Sequence, residues 1–354
     1  MLNRTLLILS ICVGVASAEQ TARWEWEGVP RIVAMGDVHA NIDKLTAILQ
    51  GTGVVDASLR WTGGDKHVVL CGDLTDRGPD DRAVLDLLRR LQAEAEAGGG
   101  RVHALLGNHD VMNLVRDFRF VAPESHADFA EEESSKDRRK AWDAFRESHK
   151  KKGVNNEQLK ASFDERYPSG YFAREKAFGP KGEYGSWLLE QPAVVKINGI
   201  VFLHGGLTPE VAALGLEEIN NRFHKGVRAT VELSDVVQRY VAGVPNYAKY
   251  LGTAKAIVEA SERGRTRLPA DVIRAAEQLL EQTAGIPFTP NGPTWYRGNS
   301  LENERAERMR VDKVLELLNA RAMMVGHTVT RTGFVSSRFN GRLIRGDVGM
   351  GYGR

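Results

Sequence analysis

Short apolar runs that break off at a glycine, each followed by an amphipathic stretch, set the grammar of the first third of the chain. Arg31-Ile32-Val33-Ala34-Met35 reads as a strand ending in Gly36-Asp37, after which Ile42 to Gln50 places Leu45, Ile48 and Leu49 on one helical face. The pattern repeats. His67 to Cys71 is the next strand, Gly72-Asp73 its turn, and a helix from about Asp81 carries Val84, Leu85, Leu87, Leu88 and Leu91 before Gly98-Gly99-Gly100 stops it. A third strand, Val102 to Leu106, ends at Gly107-Asn108. Two successive strand-helix-strand units predict parallel strands joined by right-handed crossovers, so their carboxyl ends open onto one edge of a sheet. From about 111 to 179 the chain is polar and helix-like, with Glu131-Glu132-Glu133 and Lys136 to Lys140 expected as a solvated charged face and no second core. Val194 to Leu203 reads as a hairpin around Asn198-Gly199, its second strand ending at His204-Gly205-Gly206. Residues 209–283 are again mainly helical. A last helix through Val311, Val314, Leu315 and Leu318 leads into the strand Ala322 to Val325 and then Gly326-His327.

Composition narrows the class. With 354 residues, 42% hydrophobic and 27% charged, the chain can bury a large core, and a net charge of +2 gives no electrostatic footprint for nucleic acid. Two cysteines, one of them in the N-terminal apolar run, cannot make a disulfide framework, and Cys71 in its apolar strand is expected to be buried without a redox role. Residues 1–18 combine Asn3-Arg4, the apolar stretch Leu6 to Val15 and the small-residue exit Ala16-Ser17-Ala18, the layout of a signal peptide. A secreted or periplasmic protein is predicted, with no stable membrane insertion after cleavage. Bulky Ile11 argues against lipid attachment at Cys12.

Five predicted strands end alike, in a glycine or tight turn followed by a ligand-type side chain: Asp37 and His39, Asp73, Asn108 and His109, His204, and His327. Each ending alone is an ordinary turn or cap. Five at converging sheet edges point to metal. Asp37 and His39, two apart, can face one ion if strand alternation persists that far. The remaining histidines, His67, His103, His126, His149 and His224, lack this setting. Asp, His and Asn donors without thiolate favour hard or borderline ions, and more than four donors imply two of them, with Asp73 in the central turn as the natural bridge.

Gly36-Asp37-Val38-His39, Gly72-Asp73-Leu74-Thr75-Asp76-Arg77-Gly78, Gly107-Asn108-His109-Asp110, His204-Gly205-Gly206 and Gly326-His327-Thr328 occur in the order of the phosphoprotein phosphatase family within the calcineurin-like metallophosphoesterases, which the chain therefore resembles. It looks most like the Shewanella-like, bacterial-type branch, by Val201 to Leu207, Gly292-Pro293-Thr294-Trp295-Tyr296-Arg297 and Asp347-Val348-Gly349-Met350. The resemblance implies an α/β fold of mixed β-sheets sandwiched between helices, as one metallophosphatase domain over residues 19–354 with helical insertions at about 111–179 and 209–283. It implies two divalent or trivalent ions, Mn, Fe or Zn. Asp37, His39 and Asp73 would hold the first, and Asp73, Asn108, His204 and His327 the second. His109 would be the general acid, oriented by Asp76, while Arg77 and Arg297, with Asn108, would bind the phosphate. Ala40 departs from the family, which usually has glycine there, and a methyl group would shift this loop if its φ had to be positive.

The implied reaction is hydrolysis of a phosphate monoester by hydroxide held between the ions, on a phosphoprotein (Ser/Thr or Tyr) or a small phosphate ester. A dinucleoside polyphosphate or phosphodiester hydrolase on the same motifs, or an inactive metal-holding module, are the alternatives. No Gly-x-Ser-x-Gly elbow supports an α/β-hydrolase, and no Gly-x-x-x-x-Gly-Lys-Ser/Thr loop supports a P-loop enzyme. Trp142, Phe145, Tyr167, Tyr171 and Phe172 could stack on a substrate ring, although such residues usually build core. The oligomeric state is left open.

Overall fold

The computed structural model describes residues 24–149 and 155–352, so the expected leader at 1–18 lies outside the described residues. Among the described residues, nine strands run in chain order as β1 (Glu25–Trp26), β2 (Ile32–Met35), β3 (His67–Leu70), β4 (Arg101–Ala104), β5 (Val194–Ile197), β6 (Ile200–Leu203), β7 (Ala322–Val325), β8 (Ser336–Arg338) and β9 (Leu343–Arg345). They form two sheets, a parallel β2-β3-β4 and a mixed β1-β5-β6-β7-β9-β8. In the first, Ile32 pairs with His67 and His67 with Arg101. In the second, the hairpin sets Ile197 opposite Ile200, and β6 runs parallel to β7.

The apolar runs are unbroken because both sheet faces are covered. Val69, Cys71 and Leu105 pack across the gap on Val195, Phe202 and Met324. Val68, Leu70, Val102 and Ala104 point the other way, onto Leu45 and Leu49 of helix Ile42–Gly51 and onto Val84, Leu88 and Leu91 of helix Asp81–Ala97. The outer face of the larger sheet, through Val201, Leu203, Met323 and Val325, is closed by Val311, Val314 and Leu315 of helix Glu304–Leu317 and by Ile219. Each such buried branched side chain is worth about 1.5–3 kcal/mol, so the layered core fixes where the strand ends lie.

The segment 111–179 carries helices Pro123–Ala127, Ser135–His149, Asn156–Arg166 and Tyr171–Ala177. It does hold an apolar cluster of its own, Phe145, Leu159, Phe163, Tyr167 and Tyr171, completed by Val244. Phe145 and Phe163 rings lie 5.5 Å apart and those of Tyr167 and Tyr171 5.1 Å apart, so these aromatics, with Trp142 and Phe172 packed against them, serve one another. The charged run is not wholly solvated either. Glu133 turns inward to accept from the Phe172 amide (3.0 Å) and to pair with Arg138 (3.0 Å). Helices Pro209–Ala212, Gly215–Val237, Tyr247–Glu262 and Ala270–Gln282 follow the hairpin, the last three sharing a cluster around Tyr250 and Leu279. No helix of the described residues is long and apolar enough to cross a membrane.

Candidate metal centre

The strand-end loops are zipped to one another through their backbones. Val38 and His39 amides donate to the Asp73 carbonyl (3.1 and 2.8 Å), and Ala40 to that of Leu74 (2.9 Å). Strand alternation does not place His39, since β2 stops at Met35 and His39 turns back with φ of 48°, followed by Ala40 at 49°. Left-handed backbone brings its ring beside Asp37. The His327 amide donates to Asp37 Oδ1 at 2.9 Å, and the His109 amide to Asp73 Oδ1 at 2.9 Å. A methyl group on Gly326 would collide with the Asp37 carboxylate, so that position must be bare.

Asp37, His39, Asp73, Asn108, His109, His204 and His327 are all buried and meet at one place. Asp73 stands between two groups of nitrogens. Its Oδ2 lies 3.5 Å from His39 Nε2 and 4.0 Å from His109 Nε2, while its Oδ1 lies 3.3 Å from His204 Nε2. His204 Nε2 is also 3.0 Å from Asn108 Oδ1 and 3.1 Å from His327 Nδ1. His39 Nε2 is 3.8 Å from Asp37 Oδ2.

The tautomers follow from the outer partners. His39 Nδ1 contacts the Thr75 carbonyl (3.1 Å) and His204 Nδ1 that of Cys71 (2.8 Å). A carbonyl only accepts, so Nδ1 carries a proton in each ring and Nε2 is the nitrogen left to face a cation, the arrangement typical of metal-ligating histidines. Both Nε2 atoms then meet carboxylate and amide oxygens, a donor set of the kind that holds a cation. Buried His327 Nε2 has no hydrogen-bond partner. The residues present therefore fit two ions.

Electrostatics agree. Burial pulls His39 down to about 4 against the attraction of Asp73, and burial with His204 and Arg297 pulls His327 down strongly, leaving both neutral. Burial would lower His204 too, but Asp73 and Asp37 outweigh it and push it up to about 9. Burial would raise Asp73, yet His204 and His109 hold it well below the usual carboxylate range. Asp37 goes up, because burial there exceeds the pull of His204. The carboxylates thus demand positive charge at this point, which a proton on His204 Nε2 or a cation in its place supplies.

Beside this cluster, His109 Nδ1 is held by Asp76 Oδ2 at 2.8 Å, and Asn113 Nδ2 donates to the other oxygen of Asp76, also at 2.8 Å. Burial alone would lower His109, but Asp73 and Asp76 raise it above its ordinary value. Arg77 reaches His39 Nε2 (2.7 Å) and His109 Nε2 (3.0 Å). Arg297 donates to the His327 carbonyl at 2.5 Å and to Thr328 Oγ1 at 3.2 Å. The metal-ligand, general-acid and arginine candidates of the sequence are brought together here. Others were not singled out. Asp110 accepts from the Leu74 (3.1 Å), Thr75 (3.2 Å) and Gly107 (2.8 Å) amides and from Thr75 Oγ1 (2.9 Å), clipping the second loop to the third. Asp81 accepts from the Asp76 amide (2.9 Å) and pairs with buried Arg174 of the first insertion. At the chain's end, Gly351 lies on the His39 ring so closely that a Cβ would come within 2.6 Å of His39 Cβ. Position after a ligand was the available signal for Asp110, as membership of the closing motif was for Asp347, which is buried against Asp37.

Carboxylate, imidazole and amide donors on the strand-end loops of two stacked sheets form two adjacent groups, each of a kind that could hold a metal ion. The chain belongs to the calcineurin-like phosphoesterase family, whose profile matches residues 30–331. That membership and the groups His39/Asp73/His109 and Asp73/His204/His327 imply divalent metal ions. Shewanella-like protein phosphatase 2 of Arabidopsis thaliana is 31% identical over 213 residues, 58% of this chain and 54% of that protein. Shewanella-like protein phosphatase 1 of Plasmodium berghei is 29% identical over 55% of this chain and 44% of its own. The chain thus spans about half the length of these relatives. The cold-active protein-tyrosine phosphatase of a psychrophilic Shewanella species shares the fold, with a TM-score of 0.59 at 24% identity over 94% of this chain and 75% of that one.

Proposed function

We propose that this chain is a metal-dependent phosphatase that hydrolyses phosphate monoesters, those of phosphoproteins first. The observation that carries the reading is Asp73, one oxygen turned to His39 and His109 and the other to His204. Asp37, His39 and Asp73 would hold one ion, and Asp73, Asn108, His204 and His327 the other. Oxygen and imidazole donors without thiolate suit Mn, Fe or Zn. When bound, the ions supply Lewis acidity and activate water for attack on phosphorus. The chain's own groups do the rest. Arg77 and Arg297 meet the non-bridging oxygens, where planar guanidinium groups match phosphate geometry. Asp76 fixes the Nδ1 proton of His109, so that Nε2, which meets Arg77 in this structure, could carry a second proton to the departing ester oxygen once Arg77 turns to the phosphate.

Two substitutions test this. Asp73→Asn is expected to abolish metal loading, read by elemental analysis, together with turnover of an aryl phosphate. His109→Asn is expected to keep the metal and lose about 10²–10⁴-fold in rate. Loss of metal from His109→Asn would mean that this histidine is a ligand, and metal retention without turnover in the parent chain would leave a binding module. We further infer from residues 1–18 that the protein is exported, so that it meets its substrates outside the cytosol. An N-terminus at Glu19 on the natively produced protein supports this, and one at Met1 overturns it.

A further inference from the structure

Between the first insertion and the metal loops lies an ion pair that no metal or phosphate contact requires. Arg174, on helix Tyr171–Ala177, and Asp81, the first residue of helix Asp81–Ala97, are both fully buried and bonded to each other. The guanidinium gives one nitrogen to Asp81 and lies over the rings of Phe178 (4.0 Å) and Phe118 (5.2 Å), while its Nε and other terminal nitrogen have no hydrogen-bond partner. Stability is a weak account of such a pair, because apolar side chains of similar volume often replace a buried ion pair without loss. What the pair holds is a backbone. Asp81 Oδ1 accepts from the Asp76 amide at 2.9 Å, where the chain turns through φ of 70° at Asp76 and 68° at Arg77. Such backbone costs roughly 1–3 kcal/mol per residue and persists only where its surroundings over-determine it. From this turn the Asp76 carboxylate reaches His109 Nδ1 at 2.8 Å.

We propose that Arg174 is a positioning residue for the general acid: through Asp81 and the Asp76 backbone it holds the His109 ring where Nε2 can serve the departing ester oxygen. The inference rests on the general-acid role given to His109 and carries it into the insertion, which the strand-end motifs do not include. A carboxylate buried without a counter-charge is costly, so without Arg174 the Asp81 side chain would be drawn towards water and release the Asp76 amide. Asn113 ties the other oxygen of Asp76 at 2.8 Å, so the carboxylate and the backbone that carries it are fixed separately, and the second tie is the one that Arg174 secures. Geometry at this point bears directly on rate, since a misplacement of about 1 Å far from the chemistry can cost about 10²-fold.

Leaving groups separate the positioning of an acid from packing alone. Dinitrophenolate departs without a proton, whereas phenolate gains from one. Arg174→Met and Asp81→Ala/Arg174→Met are compared with the parent and with His109→Asn, all Mn-loaded, on dinitrophenyl phosphate and phenyl phosphate. The double variant leaves no unpaired buried charge, so it carries the comparison if the single one does not fold. In both, kcat on phenyl phosphate is expected to fall by about tenfold or more and kcat on dinitrophenyl phosphate by less than about threefold, with KM and metal content kept. Equal losses on the two esters, no loss on either, or loss of metal from the folded protein, while His109→Asn does tell the esters apart, overturns the proposal alone. If His109→Asn does not tell them apart, that histidine is not the general acid, and this inference falls with the role.

Discussion

His39, Ala40, Asp73, Asp76, Arg77 and His327 all sit on backbone with φ between 48° and 70°, a region that costs a non-glycine residue roughly 1–3 kcal/mol. The strain is held by what surrounds it: the amides of His39 and Ala40 are tied to the next loop, and the Arg77 amide to the Phe120 carbonyl at 2.8 Å. Ala40 is the telling position, because glycine would adopt its φ of 49° freely. Ala40→Gly relieves about 1–2 kcal/mol of left-handed strain. Against that it removes one fully buried methyl group, about 0.8 kcal/mol, and gives the unfolded chain glycine's extra freedom, about 0.5–1 kcal/mol. The terms nearly cancel. The substitution is therefore expected to move the urea-unfolding free energy by less than about 1 kcal/mol, and a loss well beyond that would show that the methyl group, not the backbone, is what this loop needs.

Among the elements, the strands with an unbroken apolar run were legible and the shortest, more polar ones were not. β3 reads as His-Val-Val-Leu because one set of its side chains meets helices and the other meets the second sheet. β1, with two residues, and β8, Ser-Ser-Arg, carry no apolar alternation, since an edge strand buries little, and β9 is three residues long. The same distinction runs through the site. Asp37, Asp73, Asn108, His204 and His327 announce themselves because a glycine or tight turn ends each strand just before a donor. Residues 346–351 are marked in sequence only by the closing motif Asp347 to Met350, because their part is played by contacts across the fold. Lys44 Nζ reaches the Met350 carbonyl over 306 positions of sequence at 3.2 Å, Gly36 packs on the backbone of Gly346 and Asp347, and Gly351 lies on His39. These contacts depend on the whole chain being folded, and no local pattern records them. His67 and His103 are the opposite case. Nothing ligand-like surrounds them in sequence, and in the structure they stand away from the metals, with His67 at the far end of β3 from Asp73.

Across the whole molecule, that histidine pair helps to join the two sheets. His103 and His67 share a hydrogen bond of 3.0 Å in the space between the layers, and Trp26 of the other sheet packs edge-on to His103 at 4.5 Å. One ring donates and the other accepts, so the acceptor must be neutral, and protonating it would set two donors against each other. Burial pulls His67 down to about 4, with Arg101 adding to the effect, and pulls His103 well below its ordinary value. In the unfolded chain both titrate near 6.5, in the ordinary histidine range. Between that value and about 4 the unfolded state therefore binds more protons than the folded one, and stability must fall as pH falls. Above about 6.5 the pair contributes no slope. The metal-site histidines and buried His126 add slopes of their own, so the useful quantity is a difference between variants. Replacing both members by leucine removes donor and acceptor together and leaves no orphaned polar group, which is the mild way to break a buried hydrogen bond. Calorimetric Tm measured from pH 7.5 to 4.5 is expected to fall less steeply in the His67→Leu/His103→Leu protein than in the parent. Parallel curves would mean that the pair is already protonated in the fold, or that acid enters between the sheets without cost.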